Sequence, residues 1–278
     1  MRSTASVKIP SYVFMLLLMI LYLGPLLFVF NVSLKSYDDY LLNPLSFIHK
    51  LNWSNYKEAW QEGNFVNYIG NSLLYTVTST VGTVLVSVFA AFPIARGYVK
   101  WGGFFYLFFL ISQFLPNPIV AQYKLMLGLR EIAPEIAYDT KWGFILLKTT
   151  GTGVIFMMFV GYIKSISRDL DEAASMDGIG YTRFIFRILL PLMKPILATG
   201  IILTAIAVWN DFIGPLQYLP SAENYPITAG LREFKGQYGN NWPLLACGVT
   251  IVAAPLIFLY TFIQKYIVDG ALAGAVKS

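Results

Sequence analysis

The sequence predicts an all-α membrane protein with six transmembrane helices. Of its 278 residues, 56% are hydrophobic and only 13% are charged, and the mean hydropathy is +0.60. A soluble domain of this length would carry about twice that charged fraction. The apolar residues also form several runs that reach the roughly 20 residues a helix needs to cross the hydrocarbon of a bilayer.

Six apolar runs are predicted to span the membrane within a single domain, residues 1–278. The first run follows a basic start, but it is longer than the core of a signal peptide and no small-x-small cleavage site follows it. We therefore interpret it as an uncleaved span. The six runs lie at residues 11–32, 68–94, 101–120, 143–163, 195–216 and 244–266.

The distribution of basic residues predicts the orientation. Six spans place both termini on one side, and that side carries eleven of the 20 Lys and Arg residues. The short connection between the second and third spans contains both Arg96 and Lys100. Because short cytoplasmic loops are enriched in Lys and Arg, both termini and the loop 164–194 are predicted to be cytoplasmic.

Several function classes are disfavoured by what the sequence lacks. The single Cys247 and the single His49 offer no disulfide framework, metal site or cofactor site. No phosphate-binding loop or hydrolase motif occurs, so the chain is not predicted to be an enzyme. An ion-driven transporter would show inverted repeats and several intramembrane acids, which we do not find. The scattered basic residues do not indicate a nucleic-acid partner.

The charged loop 164–194 is predicted to fold into two short helices. Asp169 and Glu172 are spaced as in a capping box, and acidic residues suit the first turn of a helix. Gly178 is typical of the residue that ends a helix. We therefore expect one helix from Leu170 to Asp177, a turn at Gly178, and a second helix that runs toward Pro191.

This loop contains a motif with seven defined positions. Glu172-Ala173-Ala174, three residues, Gly178, nine residues, Ile188, one residue and Leu190-Pro191 match E-A-A-x3-G-x9-I-x-L-P at every defined position. The sequence thereby resembles the permease subunits of binding-protein-dependent ABC importers, whose EAA loop lies between two spans in the cytoplasm.

Three further segments resemble the carbohydrate branch of that family, specifically the smaller permease subunit of maltose-type transporters. They are Trp209-Asn210-Asp211-Phe212, Gly230-Leu231-Arg232 and Gly274-Ala275-Val276-Lys277. One departure is Asp269, which lies where such tails often carry a basic residue.

The resemblance implies a type I ABC importer permease fold and a multi-pass location in the bacterial cytoplasmic membrane. It implies a second permease subunit, most simply in a heterodimer, a dimer of ATPase subunits, an extracytoplasmic solute-binding protein and a carbohydrate substrate. An oligosaccharide is favoured, but a monosaccharide, a disaccharide or a fragment of an acidic sugar polymer stays open. The implied binding-protein contacts are Gly230, Leu231 and Arg232. The implied ATPase-coupling residues are Glu172, Ala173, Ala174, Asp177, Gly178, Ile188 and Pro191.

Polar residues within the spans are candidates for the solute path. Asn210 and Asp211 lie deep in the fifth predicted span, where an acid faces a cavity, pairs with another span or reaches an interface. Thr76 and Thr80 belong to a stripe of hydroxyls on one helix face, which either lines a path or, as we favour, packs against a neighbouring helix. Lys148 is interpreted as an interface anchor that extends toward solvent. The hydroxyl stripe comprises Ser72, Thr76, Thr80, Thr83 and Ser87.

Overall fold

The computed structural model describes residues 5–116, 118–150 and 153–275, and every regular element within these ranges is helical. The first seven helices are α1 (Ala5–Ser33), α2 (Tyr37–Leu42), α3 (Ser54–Glu62), α4 (Phe65–Arg96), α5 (Gly102–Ser112), α6 (Ile119–Leu129) and α7 (Lys141–Thr150). The remaining helices are α8 (Gly153–Lys164), α9 (Asp169–Met176), α10 (Tyr181–Phe184), α11 (Leu190–Leu192), α12 (Lys194–Trp209), α13 (Ile213–Tyr218), α14 (Ile227–Tyr238) and α15 (Trp242–Ala275). A π-helical turn, Ile185–Leu189, joins α10 to α11.

Two of these helices are individually long and apolar enough to cross a membrane, residues 10–33 of α1 and the whole of α4. Two further pairs qualify when each is taken as one bent span: α7 with α8, and the helical segment Tyr181–Leu192 with α12, which meet at 87°. Shorter apolar helical stretches lie in the regions of the third and sixth predicted spans, namely Gly102–Ile111, Ile119–Leu129 and, as part of α15, Trp242–Pro255. Six spans therefore stay a prediction.

The third predicted span, residues 101–120, is not one continuous helix. Helix α5 ends at Ser112, and α6 begins only at Ile119. Pro116 and Pro118 explain the break, because proline lacks a backbone N–H and disfavours helical geometry in the residue before it. Helix α6 then continues to Leu129, within the stretch that the sequence suggested was a polar connection.

The fourth predicted span is described as two helices, and the fifth is divided. Residues 143–163 are covered by α7 and α8, and the two residues between them lie outside the described ranges. The fifth span, 195–216, consists of α12 and the short α13, because the chain leaves helical geometry after Asn210. Asp211 stabilises the start of α13, since its Oδ1 accepts a hydrogen bond from the Gly214 N–H at 3.0 Å. Pro215 fits the first turn of α13, where its missing N–H is not needed.

The described chain forms two compact units. The first comprises Met1–Val66 and Gly230–Ile257, and the second comprises Asn67–Ala229 and Phe258–Ser278. In the first unit, the buried Asn55 amide donates hydrogen bonds to the Ser33 and Lys35 carbonyls at 2.9 and 2.7 Å. These bonds attach α3 to the segment that follows α1, so the residues just outside the first span have a defined structure.

The apolar core of the second unit joins the loop that contains the motif to the long helices. Val88 and Ala91 of α4 and Phe159 of α8 are fully buried together with Ile185 and Leu189 of the π-helical turn. Burying a valine, leucine, isoleucine or phenylalanine side chain contributes about 1.5–3 kcal/mol. The short helices α9, α10 and α11 are therefore packed against the ends of α4 and α8.

Candidate functional site

Helix α9 contains the first part of the motif and lies close to its predicted position. It extends from Asp169 to Met176, against a predicted Leu170 to Asp177. The predicted capping box is wrong, because Asp169 is already helical and its N–H is bonded instead to the Ser167 Oγ at 3.2 Å. Glu172 donates its N–H to the Arg168 carbonyl at 3.2 Å. The acidic first turn suits the positive end of the helix dipole.

Gly178 ends α9 as the sequence predicted. Its φ of +71° lies in the left-handed region that only glycine adopts at no cost. The Ile179 N–H bonds to the Ala174 carbonyl at 2.9 Å, and the Gly178 N–H bonds to the Ser175 carbonyl at 3.1 Å. These two bonds are those of a Schellman motif, which satisfies the last carbonyls of a helix. The chain therefore turns sharply into α10.

A buried arginine joins α4, α8 and α9. The Arg96 guanidinium donates hydrogen bonds to the Ile163 and Ile166 carbonyls at 3.1 and 2.8 Å, at the C-terminal end of α8. Its Nε and Nη2 atoms lie 2.6 and 3.0 Å from the two carboxylate oxygens of Asp171 in α9. A planar guanidinium is suited to such two-point contact with a carboxylate. We call Arg96, Asp171 and these carbonyls the arginine clamp.

Aromatic residues surround the arginine clamp. The Tyr98 hydroxyl donates to Asp171 Oδ2 at 3.3 Å, and the Tyr181 hydroxyl donates to the Phe89 carbonyl at 3.1 Å. The Phe92 ring lies 5.8 Å from that of Tyr98 and 5.5 Å from that of Tyr181, centroid to centroid. Partial burial and the Asp171 carboxylate raise the pKa of Tyr98, and burial raises the pKa of Tyr181. Both phenols therefore stay protonated donors at neutral pH.

Helix α9 presents two different faces. Asp171 and Ala174 face the rest of the second unit, and Ala174 is buried. Glu172, Ala173 and Asp177 are exposed together with Met176, whose side chain is 89% exposed. Of the two alanines expected to contact a partner, only Ala173 is therefore available, whereas Ala174 packs within the chain. Glu172, Ala173, Met176 and Asp177 form what we call the outer face of α9.

The last part of the motif lies beyond the turn at Gly178. Ile188 is half-buried against the core of the second unit, within the π-helical turn. Pro191 is exposed in α11, just before the right-angle bend into α12. These two residues therefore shape the path of the chain between α9 and the fifth predicted span.

Asp211 is paired with Lys148 of α7. Its Oδ2 atom forms an ion pair with the Lys148 ammonium, and its backbone carbonyl accepts a hydrogen bond from the Thr228 hydroxyl at 2.8 Å. The interpretation of Lys148 as an anchor extending toward solvent is therefore wrong, because the side chain is held by Asp211 instead. Asn210 is exposed at the end of α12.

The hydroxyl stripe of α4 serves more than one purpose. The Ser72 hydroxyl accepts a hydrogen bond from the Ile227 N–H at 2.8 Å, which ties α14 to α4. Thr76 and Thr80 are buried, and their hydroxyls have no hydrogen-bond partner within the described residues. Thr83 lies beside a cavity. Contact with a neighbouring helix therefore explains the hydroxyl at Ser72.

The cavity beside Thr83 has a volume of about 460 Å³ and lies wholly within the second unit. Apolar side chains of α8 and α12 form part of its wall. Its polar lining consists of Thr83, Gln113, Gln122, Lys148, Thr204 and Tyr218. Neither Thr76 nor Thr80 is among the lining residues, so the polar space lies deeper along α4 than the sequence indicated.

Residues 83–271 match the family described as binding-protein-dependent transport system inner membrane component. The chain belongs to this family. The match covers α9, the arginine clamp and the cavity, so the resemblance seen in the EAA motif is confirmed. The permease is therefore a membrane subunit of a transport system rather than an enzyme.

Two relatives from Bacillus subtilis illustrate the kinship. The permease is 33% identical over 267 residues to the probable ABC transporter permease protein YurM, covering 96% of this chain and 87% of the relative. It is 30% identical over 276 residues to the arabinooligosaccharides transport system permease protein AraQ, covering 97% and 96%. AraQ is by name a permease of an oligosaccharide transport system, as is the melibiose/raffinose/stachyose import permease protein MelC of the same organism, which is 28% identical over 91% of this chain. This similarity is consistent with the carbohydrate branch.

The fold is shared with a solved transporter. The permease superposes with a TM-score of 0.81 on a chain of a bacterial ABC transporter involved in the import of the acidic polysaccharide alginate, covering 96% of this chain and 98% of that chain. The sequence identity is 22%, so this likeness concerns the fold alone. It agrees with the type I importer permease fold that the sequence predicted.

The remaining candidate residues of the permease lie in the first unit. Gly230 is buried within α14, Leu231 is half-buried, and Arg232 is exposed. Of this triplet, Arg232 is therefore the residue with a side chain available to a partner. The tail segment beginning at Gly274 extends into residues 276–278, which lie outside the described ranges.

Sequence reasoning missed the surroundings of two basic residues of the permease. Arg96 was counted only as a loop charge, yet it is buried in the arginine clamp. Lys148 was assigned to an interface, yet it lines the cavity. A basic residue at the cytoplasmic end of a span and an acidic helix in a cytoplasmic loop favour an ion pair between them. The sequence does not reveal which acid is the partner.

Proposed function

We propose that this permease moves an oligosaccharide across the bacterial cytoplasmic membrane and takes its driving force from separate ATPase subunits that bind α9 in the cytoplasm. The observation that carries the proposal is the outer face of α9, an exposed surface on a helix that the arginine clamp holds to α4 and α8. Both termini are then cytoplasmic, as the distribution of basic residues predicts.

The arginine clamp supports transmission of force from α9 to the spans. A helix attached by a single flexible loop would move independently when an ATPase pushed on it. Here Asp171 of α9 is bonded to Arg96 at the end of α4, and Arg96 is bonded to the end of α8. Because a buried bidentate ion pair is expensive to break, the three helix ends move together.

The outer face of α9 has the chemistry of a docking surface. Glu172 supplies a charge for a basic partner group, Ala173 lets a partner approach closely, and Met176 adds a flexible apolar side chain that adapts to a cleft. Glu172, Ala173 and Asp177 remain the proposed ATPase contacts. Ala174, Gly178, Ile188 and Pro191 act indirectly, because they position the helix.

The remaining partners are proposed from the family and from exposed surfaces. In the apolar window of α1, 0% of the residues are buried, against 44% in that of α4. Such a helix needs lipid or another membrane subunit around it, which agrees with a heterodimer containing a second permease. An extracytoplasmic solute-binding protein delivers the sugar, and Arg232 is its proposed contact on this chain.

A charge reversal on the outer face tests the proposal. Glu172→Lys should weaken co-purification of the ATPase subunits with the permease by about tenfold or more, since each 1.4 kcal/mol of lost interaction corresponds to tenfold. Binding-protein-stimulated ATP hydrolysis in proteoliposomes should fall in parallel. Glu131→Lys is the matched control, because Glu131 is an exposed glutamate in the loop predicted to be outside the cell. Equal co-purification and stimulated hydrolysis in both variants would contradict the proposal.

A further inference from the structure

The cavity of the second unit lies beside the breaks between α5 and α6 and between α12 and α13. Gln113 directly follows the end of α5, and Gln122 lies in the first turns of α6. Lys148 lies in the last turn of α7. Tyr218 ends α13, which follows the interruption after α12. The cavity therefore collects polar groups that uninterrupted helices would not bring together.

These polar groups lie at membrane depth. Thr83 is thirteen residues from the Arg96 end of α4, or about 20 Å at 1.5 Å per residue. Irregular backbone and charged side chains are tolerated at such depth where they line a water-filled space or are buried in protein. A polar cavity at the interruptions of several helices is thus a natural place for a hydrophilic solute.

The charge of the cavity is balanced. Lys148 forms an ion pair with Asp211, and their side chains are 26% and 16% exposed. The other polar groups of the lining are the amides of Gln113 and Gln122 and the hydroxyls of threonine and tyrosine. Amides and hydroxyls can each donate and accept hydrogen bonds, as sugar hydroxyls do. An anionic solute would lose its hydration without meeting an uncompensated positive charge.

We propose that this cavity is a solute subsite within this subunit and that it takes the neutral rings of an oligosaccharide rather than acidic ones. The volume of about 460 Å³ lies within the range of roughly 300–1,000 Å³ for ligand pockets. The inference rests on the proposed transport function and adds the site and the charge class of the solute. The Lys148–Asp211 pair positions the lining and neutralises it.

Thr204 offers the sharpest test of the subsite. Its hydroxyl donates to the Gly200 carbonyl of its own helix at 2.8 Å, which leaves its oxygen free to accept a hydrogen bond from a sugar. Thr199, five residues earlier in α12, makes the same contact with the Pro195 carbonyl at 3.3 Å but does not line the cavity. Thr204→Val and Thr199→Val therefore remove the same group from the same helix, inside and outside the subsite.

The experiment uses the complete importer in proteoliposomes. A thermal-shift screen of its binding protein first selects among raffinose, maltotriose, arabinotriose and a trimer of mannuronic acid, and uptake of each trisaccharide is then measured. We expect uptake of a neutral trisaccharide, with Thr204→Val about tenfold slower because one sugar hydrogen bond of about 1–1.5 kcal/mol is lost. Thr199→Val should stay near the wild-type rate, and the melting temperature of the complex should be the same for both variants.

The contrary results are distinguishable. Uptake of the acidic trimer alone would overturn the assignment to neutral sugars, while the transport function would stand. Equal uptake by Thr204→Val and Thr199→Val would overturn the subsite. If no trisaccharide shifts the binding protein or stimulates ATP hydrolysis, the proposed function fails, and the inference that rests on it fails as well.

Discussion

Two ion pairs occur in the described ranges of the chain, and they differ in their surroundings. The Arg96 and Asp171 side chains are 2% and 9% exposed, and backbone carbonyls and the Tyr98 hydroxyl form further hydrogen bonds with them. Lys148 and Asp211 are 26% and 16% exposed, and Lys148 lines a cavity. The first pair is enclosed by protein, whereas the second borders open space.

The difference in surroundings indicates different structural roles for the two ion pairs. An ion pair that is enclosed by protein holds its helices together, because breaking it leaves an uncompensated buried charge. A lysine beside a cavity, with one carboxylate partner, sets the charge that a solute meets. We therefore expect the proposed ATPase-coupling region to depend on rigidity and the proposed solute subsite to depend on charge balance.

The largest expected effect is that of breaking the arginine clamp. Arg96→Ala should lower the free energy of unfolding by about 3–5 kcal/mol, because the buried Asp171 carboxylate loses its cation. Thermal or denaturant unfolding of the purified complex in detergent measures this loss. Lys100→Ala is the control, since Lys100 is an exposed basic residue in the same connection. A change equal to that of the control would show that the clamp contributes little.

The next effect concerns the charge balance of the cavity. Asp211→Asn keeps an oxygen acceptor for the Gly214 N–H but leaves Lys148 uncompensated, so uptake of a neutral trisaccharide should fall about tenfold, or 1.4 kcal/mol. Lys148→Met combined with Asp211→Asn should recover most of the uptake, because no unpaired charge remains. Initial uptake rates in proteoliposomes measure both. A double variant as slow as the single one would argue against charge balance.

The smallest effect tests the turn after α9. Gly178→Ala should destabilise the permease by about 1 kcal/mol, because alanine is strained at a φ of +71°. Gly180→Ala should be near neutral, since Gly180 has a φ of −67° that any residue adopts. A Cβ at either position meets no described atom within 4 Å, so backbone strain alone separates them. Indistinguishable melting temperatures for the two variants would show that the left-handed conformation of Gly178 does not contribute to stability.

Local patterns predicted the region around α9 well. Gly178 was assigned correctly, because a glycine after a helical stretch has a strong local preference. The start of α9 was missed by one residue, since Ser167 and Asp169 are both good capping residues and the sequence does not rank them. The inward position of Ala174 depends on packing against distant side chains, which spacing alone does not reveal.

Contacts between distant segments were not predictable in the same way. Arg96 and Asp171 are 75 residues apart, and Lys148 and Asp211 are 63 apart. Hydropathy identified the apolar runs but not their interruptions, although Pro116 and Pro118 marked one of them. The cavity depends on these interruptions, so its polar lining could not be assembled from any single run.

The buried position of Cys247 has a practical consequence for following α9 during transport. It is the single cysteine of the chain, it is fully buried in the first unit, and its thiol donates to the Ser33 carbonyl at 3.2 Å. A thiol reagent added to the native protein therefore finds this sulfur shielded. A Met176→Cys variant would carry a spectroscopic label at one accessible place, without prior removal of the native cysteine.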